Sequence, residues 1–197
     1  VADYKGVNPA FGTESDFKAL VDKAHGMGMR VIIDWVANHT GCDNRWTVEH
    51  PEYYTKDSVG GFVSPYDWTD TYDLDYSNAD MRKAMIDAMA YWVREYDVDG
   101  FRCDVAYEVP TDFWNAARET LDSIKPVFML AEAEHPDLNE TAFDMSYNWP
   151  LKNLMADIAA GKSASAVASL DSLFSLQQTK FPDSTILMNH ITNHDLN

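Results

Sequence analysis

The chain has 197 residues, with 32 acidic against 15 basic side chains and a formal net charge of −17. That balance argues against binding a nucleic-acid backbone, where lysines and arginines must gather on one face. With 46% hydrophobic residues the chain can bury a core as one domain or part of one, and it holds no apolar run long enough to cross a membrane.

Residues 15–29 place Phe17, Leu20, Val21 and Ala24 at helical spacing behind Ser15 as a cap. The run RVIIDWV (30–36) reads as a buried strand, too short and too β-branched for a helix. Residues 41–76 are irregular and rich in Asp, Gly, Tyr and Trp, an insertion of a length that is usually functional. An amphipathic helix is predicted over 78–96 and a strand over 97–105. A further helix covers 111–124, ended by Lys125-Pro126, and the apolar run VFMLAEAE follows at 127–134. A short strand is predicted near 142–148, helical material over 150–178 and a final strand over 186–195. Cys42 and Cys103 lack metal-type spacing and read as two free thiols.

Alternating helices and strands describe a parallel α/β protein, either a barrel or an open sheet. No glycine-rich phosphate loop follows a strand, which counts against a nucleotide-binding sheet. Each strand begins apolar and ends polar. RVIIDWVANH ends in Asp34, Asn38 and His39, GFRCDV carries Arg102 and Asp104, VFMLAEAE carries Glu132 and Glu134, and MNHITNHD ends in His194 and Asp195. Strand ends converge on the ligand site in parallel α/β folds. Singly, Asp34 reads as a structural aspartate, His39 as a structural histidine, and Asp104 as the ion-pair partner of Arg102. Jointly, carboxylates from several strands at one rim are hard to explain as packing. They suit glycosidic bond cleavage, which needs one ionised and one protonated carboxyl. An adjacent arginine would hold Asp104 ionised, and partial burial would keep Glu132 protonated.

These segments resemble the α-amylase superfamily of retaining glycoside hydrolases. DWVANH (34–39), GFRCDVAYE (100–108), LAEAE (130–134) and ITNHD (191–195) are similar to its four signatures, in order, and YDLDYSN (72–78) to a segment before the fourth barrel strand. The resemblance implies a partial (β/α)8 barrel holding roughly strands three to seven. Residues 1–40 and 77–197 would form barrel parts, 41–76 a small inserted subdomain, and the whole a piece of a longer protein, expected to be poorly stable and inactive on its own. It implies Asp104 as nucleophile, Glu132 as general acid/base and Asp195 as the carboxylate that grips sugar hydroxyls. Arg102 would position the nucleophile, His39 and His194 would bind the sugar at the cleavage point, and Asn38 matches a position that often ligates calcium. No organic cofactor is implied.

Two departures refine this. Ala131 replaces the usual glycine, which makes Glu134 a rival acid. Glu108 replaces a histidine, and with Val109 and the Phe113–Trp114 pair it resembles the neopullulanase and cyclomaltodextrinase branch. The implied substrate is a starch-type glucan or maltodextrin with α-1,4 and α-1,6 bonds. Rival readings are a transglycosylase or glucoside isomerase on the same site, and a non-catalytic sugar-binding relative. One or two aromatics of the insertion (Tyr53, Tyr54, Phe62, Tyr66, Trp68, Tyr72) are expected to stack on sugar rings.

Overall fold

Thr13, two residues before the expected cap, starts the first helix, α1 (Glu14–Gly26). Its side chain accepts from the Asp16 N–H while the Asp16 carboxylate accepts from the Thr13 N–H at 2.8 Å, so two orphan donors are satisfied reciprocally. Apolar periodicity begins only at Phe17, which is why it places the start too late. The computed structural model describes residues 1–195. After α1 come β1 (Ile32–Val36), β2 (His39–Gly41), α2 (Trp46–Glu49), β3 (Thr71–Asp73) and α3 (Ala79–Tyr96). Then follow β4 (Gly100–Asp104), α4 (Thr111–Asp122), β5 (Phe128–Ala131), β6 (Met145–Tyr147), α5 (Trp149–Ala159), α6 (Ala166–Lys180) and β7 (Ile186–Met188). The expected final strand therefore stops at Met188, and its polar end is loop. Helical material after residue 150 is split where Gly161 turns through a positive φ of 70°.

Strand order settles the choice left open between barrel and open sheet. β1, β4, β5, β6 and β7 lie side by side in chain order, and every pair is parallel. A doubly wound sheet would reverse its order at a switch point, whereas right-handed crossovers in one direction keep the helices on one side and curl the sheet toward a barrel. The sheet is thus part of a (β/α)8 barrel, five consecutive strands of it. Gly100 lets β4 and β5 approach closely, because a Cβ there would lie 1.8 Å from the Phe128 carbonyl oxygen.

Alternation along β4 separates packing from chemistry. Phe101 and Cys103 are fully buried, and Phe101 meets Trp35 edge-on at 5.4 Å. Arg102 and Asp104 share the other face. On the helix side, α3 buries Met81, Met85, Met89 and Val93 along one stripe, and α4 buries Phe113, Trp114, Ala117 and Leu121. The Trp114 Nε1–H donates to the Ala106 carbonyl at 2.9 Å, tying α4 to the loop after β4. The insertion is more ordered than its composition predicts. β2 and β3 form an antiparallel pair under a ring cluster of Tyr54, Phe62 and Tyr72, and three-residue strands are too short to show a period.

At the N-terminal ends of the strands, the buried carboxylate of Asp99 accepts from the Val31 N–H (2.8 Å), His25 Nε2 (2.7 Å) and Lys125 Nζ (3.3 Å). Burial pushes its pKa up, but the Val31 N–H, His25 and Lys125 outweigh it and hold the group at about 2. A carboxylate whose folded pKa is depressed stabilises the fold above its unfolded pKa and loses that contribution as pH falls through the folded value. Asp99→Asn should therefore cost about 1–2 kcal/mol at neutral pH in urea unfolding, a difference that shrinks between about pH 4 and 2. An unchanged unfolding midpoint at pH 7 would remove Asp99 from this account.

Candidate active site

The C-terminal ends of β1, β4 and β5 and the segment after β7 open on a cleft of about 660 Å³. Its lining includes His39, Asp104, Glu132, Glu134 and Asp195, so the fold brings together residues that lie far apart in sequence. Arg102 lies beneath them, only 7% exposed.

Arg102 organises the floor. Its Nη1 donates to Asp34 Oδ1 at 2.9 Å and to Asp104 Oδ1 at 2.8 Å. Nη2 sits 2.7 Å from Glu132 Oε1 but makes no aligned hydrogen bond, so that contact is Coulombic. Parallel register sets Asp34 opposite Arg102 on adjacent strands, which brings its carboxylate to the guanidinium. Burial pulls the guanidinium pKa down, but the contacts with Tyr147, Asp34 and Asp104 more than restore it, and Arg102 stays charged.

One cation faces three carboxyls. For Glu132, burial pushes the pKa up, the neighbouring Asp104 adds to the rise, and the Val105 N–H and Arg102 oppose it with a net upward shift. That N–H donates to Glu132 Oε2 at 3.1 Å from a residue with left-handed dihedrals, φ 44° and ψ 43°. A β-branched side chain adopts that conformation only under strain, and such strain clusters at functional sites. In return the Glu132 N–H donates to the Cys103 carbonyl at 3.0 Å, cross-linking the ends of β4 and β5. Glu134 also lines the cleft with its pKa raised by burial, but the contacts of Arg102 run to Glu132.

Burial lowers the pKa of the His39 imidazole and favours the neutral ring, while Asp104 pulls the other way. Its ring lies 5.2 Å from that of Trp68, the insertion aromatic that reaches the cleft. Asp195 accepts from Asn193 Nδ2 at 3.1 Å, and His194 Nε2 lies 3.3 Å from Asp195 Oδ1. His194 stands beside Asp195 and is itself largely exposed. Glu108 lies outside the cleft lining and accepts from the Tyr66 hydroxyl, joining the insertion to the loop after β4.

Asn38 is buried, its carbonyl oxygen accepts from the Leu74 N–H at 3.1 Å, and its amide lies 3.4 Å from His39 Nδ1. A calcium ion needs six to eight oxygen donors. Among the described residues no group of three or more His, Cys, Asp or Glu side chains gathers to hold a metal. The surroundings of Asn38 do not fit a carboxylate cage, and no step of the chemistry is routed through calcium.

Three lining side chains escape sequence reasoning. Tyr107 and His135 stack with ring centres 5.5 Å apart at 19°, and Trp149 lies on the Tyr147 ring at 5.6 Å and 28°. Tyr107 and His135 each follow a strand-end carboxylate by three residues, a spacing that could have flagged them.

The sequence profile of the alpha-amylase catalytic domain matches residues 1–70 and 56–197, which together span the chain. An intracellular maltogenic amylase of Bacillus subtilis is 32% identical over 83% of this chain, and the match covers 31% of that protein. A cyclomaltodextrinase of Thermoanaerobacter pseudethanolicus is 29% identical over 98% of this chain and 38% of its own length. The chain thus spans about a third of the curated relatives it matches. Among solved structures, a maltogenic alpha-amylase from Thermotoga neapolitana superposes with a TM-score of 0.91 and 37% identity, over 99% of this chain and 46% of that one. An alpha-amylase from Lactobacillus plantarum gives 0.92 and 36%, over 99% and 50%.

Removing the central cation while leaving its carboxylates should be costly. Arg102→Met is expected to destabilise the protein by about 3 kcal/mol at pH 7. The difference should narrow as pH falls, because protonated carboxyls no longer need a counter-charge. Urea unfolding at pH 7 and pH 4.5 reads this directly, and a cost that grows on acidification would contradict it.

Proposed function

The chain belongs to the alpha-amylase family, and from that premise we propose that it carries the catalytic centre of a retaining α-glucan hydrolase. The observation that carries this reading is the single guanidinium of Arg102 in contact with both Asp104 and Glu132 at the floor of the cleft. Retaining enzymes need their two carboxyls about 5–5.5 Å apart, whereas inverting ones leave room for a water at about 6.5–9.5 Å. Two carboxyls held by one guanidinium favour the closer arrangement.

Asp104 is the nucleophile. Its carboxylate attacks the anomeric carbon as the bond to the leaving oxygen breaks, and Glu132 gives that oxygen its proton. Glu132, now ionised, takes a proton from water, which attacks the same carbon and releases Asp104. Arg102 keeps Asp104 oriented through both steps. Asp195, His39 and His194 bind sugar hydroxyls around the cleavage point, and Trp68 supplies an aromatic face. Residues 1–40 and 77–197 act as the barrel scaffold and 41–76 as the subdomain that walls the cleft. The maltogenic amylase and cyclomaltodextrinase relatives support starch or maltodextrins with α-1,4 bonds as substrates, and the resemblance at Glu108 extends the proposal to α-1,6 bonds.

The stacked Tyr107–His135 pair favours a second outcome on the same intermediate. A sugar acceptor that stacks there can replace water, and transfer then competes with hydrolysis. Product analysis on maltoheptaose separates the two, since longer oligomers appear only by transfer.

Asp104→Asn in the full chain should lower turnover at least about a thousandfold while maltoheptaose binding persists. Normal turnover would refute the nucleophile assignment. The acid step needs protonated Glu132, so kcat/KM should fall as pH rises through its elevated pKa. Glu132→Gln should abolish that alkaline limb, and a limb that survived the substitution would transfer the acid role to another group, Glu134 first.

A further inference from the structure

Arg102 is a planar fork, so its orientation decides how its charge is divided among its partners. Nη1 is committed to Asp34 and Asp104 and Nη2 to Glu132, which leaves Nε. Nε donates to the hydroxyl of Tyr147 at 3.4 Å, and the guanidinium carbon lies 5.6 Å from the centre of the Tyr147 ring. Tyr147 closes β6 and, like Arg102, is 7% exposed. Its ring is itself held, by Trp149 stacked on it and by His190 edge-on at 5.3 Å.

We propose that Tyr147 is a positioning residue for the reaction: it fixes the plane in which Arg102 meets Asp104 and Glu132. The inference rests on the catalytic reading above and adds a residue from a third strand to it. A contact at 3.4 Å is long for an N–H···O bond and would orient little alone. The ring face supplies the second restraint, since a desolvated guanidinium is attracted to it. Together they hold the fork from below and from its Nε edge, while the carboxyls hold the other edge. The chemistry of the acceptor matters as well. A carboxylate at this position would draw charge away from Asp104 and Glu132, whereas a phenol accepts the Nε–H and leaves the full cation to them. Trp149 lines the cleft, so the same ring connects the cleft wall to the ionic floor.

Buried tyrosines commonly serve packing alone, and the test must separate the two roles. Tyr147→Phe in the full chain keeps the ring and its stacking on Trp149 and loses only the hydroxyl. On maltoheptaose we expect kcat to fall about tenfold, with KM within about twofold of wild type. The alkaline limb of kcat/KM should move to higher pH. Glu132 there faces Asp104, Arg102 and the Val105 N–H, and a loosened Arg102 lowers its pKa less. Lysine has no Nε, so adding Tyr147→Phe to Arg102→Lys should change kcat by less than about twofold. Wild-type kcat with an unmoved limb in Tyr147→Phe, or an equal fall in both backgrounds, overturns the proposal. Hydrolysis by the wild-type protein tests the catalytic reading separately, so failure of one is distinguishable from failure of the other.

Discussion

The ion contacts of Arg102 are the constraint from which the rest of the site follows. A guanidinium this deeply buried is costly unless paired and hydrogen-bonded, and here it touches Asp34, Asp104 and Glu132 from three adjacent strands. The parallel register of β1 on β4 and of β4 on β5 brings those carboxyls within its reach. With one positive charge against three acids, full ionisation is unfavourable. Burial and Asp104 together raise the pKa of Glu132. In the proposed mechanism that difference in environment separates the acid from the nucleophile, although both are carboxyls.

The scaffold serves that arrangement at two further points. Gly100 allows the start of β4 to lie against the Phe128 backbone of β5, where a Cβ would clash. Val105, forced into a left-handed conformation, turns its N–H onto Glu132 directly after the strand ends. That strained turn restrains Glu132 from the side opposite the cation and opposes the rise in its pKa. The helices contribute little to the chemistry but hold the loops. Trp114 anchors the segment carrying Tyr107 and Glu108, and Tyr66 reaches across from the insertion to Glu108.

Much of this was legible in the sequence because strands of a parallel barrel announce themselves twice, by an apolar start and a polar end. Asp34, Arg102, Asp104 and Glu132 stood out as charges in apolar runs, and the structure brings them together at the barrel mouth. Signals that depend on tertiary neighbours were not legible. The three-residue strands β2 and β3 have no readable period, and the Thr13 cap precedes the apolar pattern that marks its helix. Trp149 and Tyr147 look like ordinary aromatic side chains in sequence, because only the packing of one strand end against the next gives them a partner. The final strand was overextended for the opposite reason. ITNHD continues an apolar run, yet its polar residues belong to the loop that carries Asp195 into the cleft.

The central claim is that the carboxylate of Asp104, held by Arg102, becomes covalently bonded to the sugar. It is tested most directly by trapping that bond. Incubation of the protein with a 5-fluoro-α-glucosyl fluoride, followed by peptide mass spectrometry, should place a fluoroglucosyl adduct on the peptide containing Asp104. An adduct on Glu134 or Asp195 instead, or turnover of the reagent to an inverted product without any adduct, would contradict it.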